Sequence, residues 1–521
     1  MMSTLISLSV PEPQWSKHSE EVFVGKDVLE LLSSSMYVDP LSMYREYIQN
    51  SADAFDTDME ASSSRVPGLV RIKVDRQQRN IVITDNGIGL DKRNFYKRLT
   101  SIGGSTKRGT NARGFRGVGR LAGLGYCQEL IFRTRAMGKD EVYELRWDSR
   151  KVRALLRSHE TDLDLAGVIG ESIEKRILAS DGFPPHFFEV ELRNVVRHRD
   201  DRLLNTAEIS RYLSQVAPVP FHPDFKFGKD IHAFLVSNGV KLTSPQIDIE
   251  GEGVVYRPHR DEISIGAKNL KMLEFEPSIT LDRDGNIAAV SWILHHEYLG
   301  SIPSSTLVNG WRVRSGDIQV GNNDVLTELF PESRFNGWTI GETHVLDNKI
   351  VPNGRRDNFE QSAHFTDLLT RLTPTAKDIA HRCRTSSISR NAVQRVEIDL
   401  VKCEESLTVA SKKRTPAFVV EAARDEVAKR LVTLKKETER FLGSDTALAE
   451  MRVRVKKITS RLQALPVSPD SSDALMDFPP AQRQLLKSII ETIHMNEEHS
   501  ETADMLIGAI LKRLRSQRKR S

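Results

Sequence analysis

Cysteine is scarce in this sequence. Three cysteines occur in 521 residues, Cys127, Cys383 and Cys403, and no two of them form a CxxC pair. We therefore expect no disulfide framework, and this cysteine usage indicates a reducing, cytoplasmic location.

Long hydrophobic runs are also missing. No apolar stretch approaches the ~20 residues that a membrane-spanning helix needs. The N-terminal residues Leu5, Ile6, Leu8 and Val10 are apolar, but no basic segment precedes them and Pro11 follows at once. We expect neither a signal peptide nor a membrane partner.

No excess of one charge is present either. Lys and Arg number 75 against 71 Asp and Glu, a net charge of +4, so the chain is not a polycation built for nucleic acid. The distribution is uneven, because the last ten residues, 512–521, hold six Lys or Arg and no acid. This tail either contacts phosphates or is simply solvated.

The length of the chain predicts several domains. A single core does not extend over 521 residues, and roughly three domains are expected. The patterns predict four segments: an α/β domain over 1–205, a β-rich middle domain over 206–372, long helices or a coiled-coil hairpin over 373–465, and a linker with C-terminal helices and a basic tail over 466–521.

Local patterns support these divisions. Asp39 and Pro40 are a candidate N-cap and first residue of a helix. Residues 70–74 and 80–84 are β-formers around a polar turn, which predicts a hairpin, and further strands are predicted at 129–133, 141–145 and 188–192. Apolar residues recur every seven positions from Val420 to Leu462, and 443–445 interrupt them, which favours two antiparallel helices over one rod.

Three polar segments in the first domain carry candidate chemistry. Glu46, Asn50 and Asp53 are spaced i, i+4 and i+7, which places them on one stripe of a helix. By itself such a stripe is usually a solvated face. Asp85 then ends a β-run and is followed by Gly87 and Gly89, which allow a tight turn beside a ligand.

The third segment is rich in glycine, and its order after the other two is informative. It reads Gly-Phe-Arg-Gly-Val-Gly-Arg over 114–120. Three such elements at this spacing predict a site for a nucleotide and its metal. The Walker pattern GxxxxGK[ST] does not occur in the sequence, so a P-loop site is excluded.

These motifs resemble the Bergerat-fold ATP sites of the GHKL superfamily, which includes the DNA gyrase B subunit, the ninety-kilodalton heat-shock chaperone, sensor histidine kinases and MutL. The resemblance covers about 25–200. It implies an α/β (α+β) fold, a two-layer sandwich with helices on one face of a mixed sheet, followed by an α/β middle domain of the transducer-like kind and a helical C-terminal region.

The resemblance also implies roles for individual residues. Glu46 matches the carboxylate that orients and deprotonates the attacking water, and Asn50 matches the ligand of Mg²⁺. Asp85 matches the acid that accepts a hydrogen bond from the adenine amino group. Supporting or phosphate-lid positions are implied for Asp53, Gly87, Gly89, Ser105, Thr106, Lys107, Gly117, Val118 and Gly119.

Two further points concern how the site is completed. In chaperones and MutL-like proteins a middle domain supplies a basic residue to the γ-phosphate, and Arg355 or Arg356 suits that role. A structural Arg–Asp turn is the alternative. Many members also carry a Thr on a late strand beside the adenine-binding acid, whereas the matching stretch here, 185–192, contains no Thr.

The architecture resembles that of ATP-driven clamps. The expected function is that of a Mg²⁺-dependent, chaperone-like ATPase that remodels a protein client as a homodimer, joined by N-terminal closure and by C-terminal helices. The alternative is a nucleic-acid clamp similar to MutL, MORC proteins or a type IIB topoisomerase ATPase subunit. A sensor kinase is not expected, because about forty residues precede Glu46.

Overall fold

The computed structural model describes residues 39–61, 67–101, 119–158, 163–197, 200–266, 268–412, 415, 417–440, 446–465, 475, 477–496 and 500–518. The chain divides into two compact units, Met1–Ala380 and His381–Ser521. The predicted divisions at 205/206, 372/373 and 465/466 stay predictions.

The described helices are α1 Ser42–Ala61, α2 Lys92–Thr100, α3 Ser149–Arg157, α4 Leu165–Ser172, α5 Thr206–Val216, α6 Gly228–Ser237, α7 Ala363–Ala410, α8 Ala417–Arg440, α9 Thr446–Ala464, α10 Pro480–Asn496 and α11 Ser500–Arg518. The described strands are β1 Leu69–Asp75, β2 Asn80–Asp85, β3 Glu129–Arg135, β4 Val142–Asp148, β5 Ile173–Leu178, β6 Phe187–Arg193, β7 Gln246–Ile249, β8 Gly253–Val254, β9 Glu262–Ile265, β10 Lys268–Leu281, β11 Ile287–His296, β12 Gly310–Ser315, β13 Ile318–Val320 and β14 Ile340–Val345.

The first sheet has the strand order β5-β4-β3-β6-β2-β1-β7-β8. The predicted hairpin is confirmed, since β1 and β2 pair antiparallel with Asp75 opposite Asn80. Strand β7 pairs parallel with β1, so this sheet uses residues on both sides of the predicted division at 205/206. Strand β5 was not predicted from the sequence.

Helices cover one face of this sheet. Its buried residues form one core with apolar residues of α1, α3 and α5, among them Tyr47, Val152 and Leu213. Alternation along β1 separates this face from the other, because Ile72 is buried whereas Arg71 is exposed. The predicted two-layer α/β sandwich is confirmed.

A second sheet follows, with the strand order β13-β12-β14-β11-β10-β9. All described pairings are antiparallel except that of β12 with β14. Its core packs against α6 through residues such as Ile231, Trp292 and Leu294. The middle part of the chain is therefore an α/β arrangement, as predicted.

The second unit is helical in its described part. Helices α8 and α9 run antiparallel, because Arg424 Nη2 donates to Leu465 O and Arg452 Nη2 donates to Thr438 O, 3.0 Å. Val427, Leu434 and Val455 of the heptad pattern are buried between the helices. The predicted helix pair is confirmed. Residues 443–445 and most of the predicted linker lie outside the described residues.

None of the helices in the described ranges combines the length and apolar character needed to cross a membrane. Cys127, Cys383 and Cys403 are all buried, and none of these three forms a disulfide.

Candidate functional site

Helix α1 carries the first group of candidate residues. The Asp39 carboxylate accepts a hydrogen bond from Leu41 N, 3.0 Å, and so satisfies a backbone donor just before the helix begins at Ser42. Tyr44 and Ile48 anchor the helix in the core of the first unit. This anchoring fixes the opposite stripe, which contains Glu46 and Asn50.

Glu46 is buried, with 6% of its surface exposed. Its Oε1 lies 3.5 Å from Arg45 Nη2 and 3.3 Å from Arg356 Nε. A Cβ placed on Gly119 would lie 2.2 Å from the other oxygen, Oε2. The carboxylate is therefore contacted by two guanidinium groups and lies so close to Gly119 that a side chain there would displace it.

The other two members of the stripe differ in exposure. Asp53 is buried at 6%, whereas Asn50 is exposed. An exposed carboxamide oxygen fits Mg²⁺, which keeps several waters and phosphate oxygens around one or two protein ligands. In the described ranges no group of three or more His, Cys, Asp or Glu side chains forms a cage for a metal ion. Asn50 therefore fits a metal shared with phosphates better than a metal held by protein alone.

Asp85 ends strand β2 and is also buried, at 5%. Ser51 Oγ donates to its Oδ2, 2.8 Å, and Gly87 N donates to its Oδ1, 3.0 Å. Since Ser51 lies on α1, this bond brings the candidate adenine-binding acid to the same helix as Glu46. Both carboxylates thus lie beside α1.

The turn after Asp85 is held by contacts to its backbone. Gly89 has a φ of +70°, and a Cβ there would lie 2.0 Å from Arg135 O, so the position requires glycine. Met137 N donates to Ile88 O, 2.8 Å. His186 Nδ1 lies 2.9 Å from Gly87 O. These contacts shape the turn that the sequence assigned to the nucleotide base.

The stretch 185–192, which contains no threonine, includes most of strand β6, and β6 pairs with β2 beside Asp85. Phe188 lies directly opposite Asp85 in the antiparallel register, so the two side chains share a face of the sheet. The hydroxyl that contacts Asp85 comes instead from Ser51.

Most of the predicted lid lies outside the described residues: Ser105, Thr106, Lys107, Gly117 and Val118. The flanking described residues are joined, because Arg120 Nη2 donates to Ser101 O, 3.0 Å. Burial, and secondarily the positive charge of Arg98, lowers the pKa of Arg120 to about 10. The next turn is tied to α1, since Gly123 N donates to Tyr47 Oη, 3.0 Å.

The structure distinguishes the two candidate arginines. Arg356 reaches Glu46 and its side chain is 11% exposed, whereas Arg355 is exposed and offers its backbone oxygen to Arg45 Nη2 at 3.5 Å. Arg356 also has a φ of +55°, an uncommon value for a residue other than glycine. The turn therefore aims one guanidinium at the site.

Several site residues were not identified from the sequence. Arg45 and Ser51 are neighbours of predicted residues on α1, but their helix positions alone do not indicate their partners. Tyr212 on α5 is partly buried, and desolvation of its hydroxyl raises its pKa to about 12, with Arg45 opposing the shift. His186 had no motif around it.

The comparisons with known proteins agree with this geometry. Residues 42–167 match the family described as histidine kinase-, DNA gyrase B-, and HSP90-like ATPase. Residues 42–167 therefore form a domain of the GHKL-type ATPase superfamily. The matched range contains α1, Asp85 and Gly119, whereas Arg356 and His186 come from parts of the chain outside it.

Curated relatives share part of this region. The Chaperone protein HtpG of Rickettsia canadensis is 27% identical over 200 residues, covering 34% of this chain and 31% of that protein. The same-named protein of Bacillus velezensis is 27% identical over 142 residues, 24% of this chain and 22% of that protein. That of Helicobacter pylori is 24% identical over 135 residues, 22% of each. The chain covers less than a third of the length of each of these relatives.

Proposed function

We propose that this protein is a Mg²⁺-dependent ATPase that works as a dimeric, chaperone-like clamp on a protein partner. The observation that carries the proposal is the position of Glu46 on α1, where it is buried next to Gly119 and Arg356. Ser51 of the same helix donates a hydrogen bond to Asp85. A carboxylate positioned in this way suits a general base, and a second, hydrogen-bonded carboxylate suits recognition of an amino group.

Asp85 is proposed to bind the adenine amino group. Its Oδ2 accepts a hydrogen bond from Ser51 and its Oδ1 accepts one from Gly87. A carboxylate has several acceptor positions, which suits recognition of an amino donor. The Gly89 turn beside it supplies the close backbone approach that a flat base needs.

Glu46 is proposed to orient the attacking water and take its proton. General-base catalysis of this kind contributes ~10²–10⁴ in rate. Arg356, at 3.3 Å from Glu46, is proposed to contact the terminal phosphate, for which a guanidinium offers bidentate hydrogen bonds. Arg355 is the second candidate. The predicted lid residues Ser105, Thr106, Lys107, Gly117, Val118 and Gly119 would hold the remaining phosphate oxygens.

Asn50 is the proposed protein ligand of Mg²⁺, and Asp53 has a supporting role. Bound Mg²⁺ would offset the negative charge of the phosphates. The exposure of Asn50 supports this role, because the ion must also contact water and nucleotide.

A homodimer that closes through its N-terminal domains and associates through its C-terminal helices is the proposed working form. Leu485 on α10 and Met505 on α11 are 63% and 68% exposed, which supports an apolar contact with a second copy. The relatives printed as chaperones support a protein client. The cytoplasmic location stays a prediction.

The test is phosphate release from ATP by the full chain with Mg²⁺. We expect Glu46→Ala and Glu46→Gln to lower turnover by at least ~10²-fold while nucleotide affinity changes little. Glu250→Ala, which removes a carboxylate that is 67% exposed, is the matched control and should turn over normally. Unchanged turnover in both Glu46 variants would refute the assignment of the base.

Nucleotide binding and partner choice need separate measurements. Asp85→Asn should weaken ATP binding, and equal affinity would show that the base site is misassigned. Capture of partners with Glu46→Ala in ATP should enrich a protein client. Turnover stimulated by duplex DNA and falling as salt rises would instead support the nucleic-acid clamp.

A further inference from the structure

The turn that carries Arg356 is held in a strained conformation. Arg356 has a φ of +55°, and its backbone N donates to Asn353 O, 3.1 Å. Asn353 N donates in turn to Asn358 O, 2.8 Å. A left-handed residue with a large side chain is strained and persists only where its surroundings enforce it. Contacts outside the turn are therefore needed to explain this conformation.

Gly321, at the end of the β12–β13 hairpin, supplies such a contact. Its backbone N donates to Arg356 O, 2.8 Å. It has a φ of +66°, and a Cβ there would lie 2.5 Å from Asp357 O and 2.4 Å from Val325 Cγ2. The backbone of Gly321 is thus packed directly against the turn, with no space for a side chain.

Gln319 fixes Gly321 from the other side. Its Nε2 donates to Gly321 O, 2.9 Å, and its Oε1 accepts from Arg312 Nη1, 3.1 Å. Gln319 is 2% exposed and Arg312 is 5% exposed. The buried Gln319 amide therefore makes two contacts. Its oxygen accepts from Arg312, and its nitrogen donates to Gly321, which in turn contacts Arg356.

Arg312 links this amide to helix α5. The same Nη1 also donates to Gln215 Oε1 on α5, 3.1 Å. In the described part of the chain Arg312 ion-pairs with no carboxylate. Burial of a guanidinium is costly unless it is compensated, and here two amide oxygens accept from Arg312 while the charge of Glu342 favours it.

Helix α5 also packs in the same core as α1, the helix that carries Glu46. Leu213 of α5 packs in the same core as Tyr44 of α1, and Tyr212 lies close enough to Arg45 and Glu46 to interact electrostatically. The polar contacts run from Gln215 on α5 through Arg312, Gln319 and Gly321 to Arg356. Because α5 and α1 share one core, the ion pair of Arg356 with Glu46 on α1 completes this series of contacts.

We infer that Gln319, held by Arg312, is a positioning residue that sets the place of the Arg356 guanidinium relative to Glu46. The inference rests on the proposed function of Arg356. Neither Gln319 nor Arg312 is assigned any contact with nucleotide, so their effect on turnover passes through Arg356 alone.

Gln319→Glu is the sharpest test, because it keeps an acceptor for Arg312 and removes the donor to Gly321 O. Loss of that bond takes a donor away from the partly buried Gly321 carbonyl, an effect on the order of 10-fold. In the full chain we expect kcat for ATP to fall by about that factor and KM to stay nearly constant. Gln246→Glu, an exposed position on β7, should leave both constants unchanged.

The decisive comparison is made in the Arg356→Ala background. There Gln319→Glu should cause no further loss, because the residue that it positions is gone. An equal fold-loss in both backgrounds would overturn the inference. If Arg356→Ala itself leaves turnover unchanged, the proposed role of Arg356 fails, and the inference fails with it through that separate measurement.

Gly321→Ala is a second variant that does not depend on the buried amide. Gly321 is partly exposed, and an added Cβ presses on the turn from the side of the hairpin. We expect Gly321→Ala to lower kcat by about the same factor as Gln319→Glu. In the Arg356→Ala background, Gly321→Ala should cause no further loss. A thermal unfolding midpoint close to that of the parent shows that the loss is not due to unfolding, and Gly321→Ala decides the matter if Gln319→Glu does not fold.

Discussion

Arg356 Nε lies 3.3 Å from Glu46 Oε1, although 310 positions separate the two residues in the chain. The pair joins the middle part of the first unit to the helix that carries the proposed general base. Both side chains are almost enclosed, at 11% and 8% exposure, so the contact is held in place by its surroundings. An ion pair of this kind is far more sensitive to substitution than one on the surface.

Arg356→Ala should lower ATP turnover by ~10²–10³-fold, the loss typical of removing one positioned group that stabilises developing charge. Arg355→Ala is the matched control, since Arg355 is exposed and contacts Arg45 through its backbone oxygen. Its turnover should stay within about a factor of 2 of the parent, as for ordinary surface substitutions. Steady-state phosphate release measures both, and equal losses would contradict the assignment of Arg356.

Gly119→Ala should impair catalysis by displacing Glu46. The new Cβ would lie 2.2 Å from Glu46 Oε2, so the carboxylate must move. A displacement of about 1 Å costs on the order of 10²-fold in rate, with ATP affinity little changed. Gly170→Ala is the control, because nothing lies within 4 Å of its added Cβ. Normal turnover in Gly119→Ala would show that the Glu46 position is not critical.

Ser51→Ala should weaken nucleotide binding. The variant removes the hydroxyl that donates to Asp85 Oδ2 at 2.8 Å, and a hydrogen bond to a charged group is worth ~1.5–3 kcal/mol. The dissociation constant for ATP should rise by roughly 10-fold or more, measured by calorimetry. Ser237→Ala, whose hydroxyl donates to Phe234 O in its own helix, should bind ATP as the parent does. Identical affinities in both variants would remove Ser51 from the site.

His259 should make stability depend on pH. Burial lowers its pKa from 6.5 to about 3, while the nearby Glu342 opposes the shift. Between these values the unfolded chain binds a proton that the folded chain does not, so the free energy of unfolding falls as pH falls below about 6.5. One such proton contributes up to ~1.4 kcal/mol per pH unit.

His259→Phe removes that titration and keeps a ring beside Phe221 and Trp292, at present 5.4 Å and 5.3 Å from the histidine ring. Urea unfolding at about pH 5 and about pH 7 should therefore show a smaller pH dependence in the variant than in the parent. The same slope in both proteins would mean that His259 is protonated in the folded state.

Elements set by local pattern were predictable from the sequence. The stripe of Glu46, Asn50 and Asp53 indicated α1, and alternation of β-formers indicated the β1–β2 hairpin, because both patterns depend on residues within a few positions of each other. The seven-residue repeat indicated α8 and α9 for the same reason. Strand β5 was missed, since its apolar and charged residues do not alternate clearly and four of its six residues are exposed.

The sequence predicted residues of the candidate site better than it predicted the contacts between them. Asp85 and Glu46 were identified from motifs, and the roles proposed for them remain to be tested. The hydroxyl beside Asp85 was sought on the late strand, yet it comes from Ser51 on α1. A serine one position after Asn50 carries no signal of its own, because its partner is decided by where β2 ends in space.

The sequence by itself determined which short segments form helices, strands and tight turns in the GHKL domain, because periodicity, capping and glycine conformation act over a few residues. Only the tertiary structure decided that Arg356 and not Arg355 reaches Glu46, and that Gln319 links Gly321 to Arg312. These contacts join residues from distant parts of the chain. Their distances depend on how two sheets and α5 pack together, which no local pattern records.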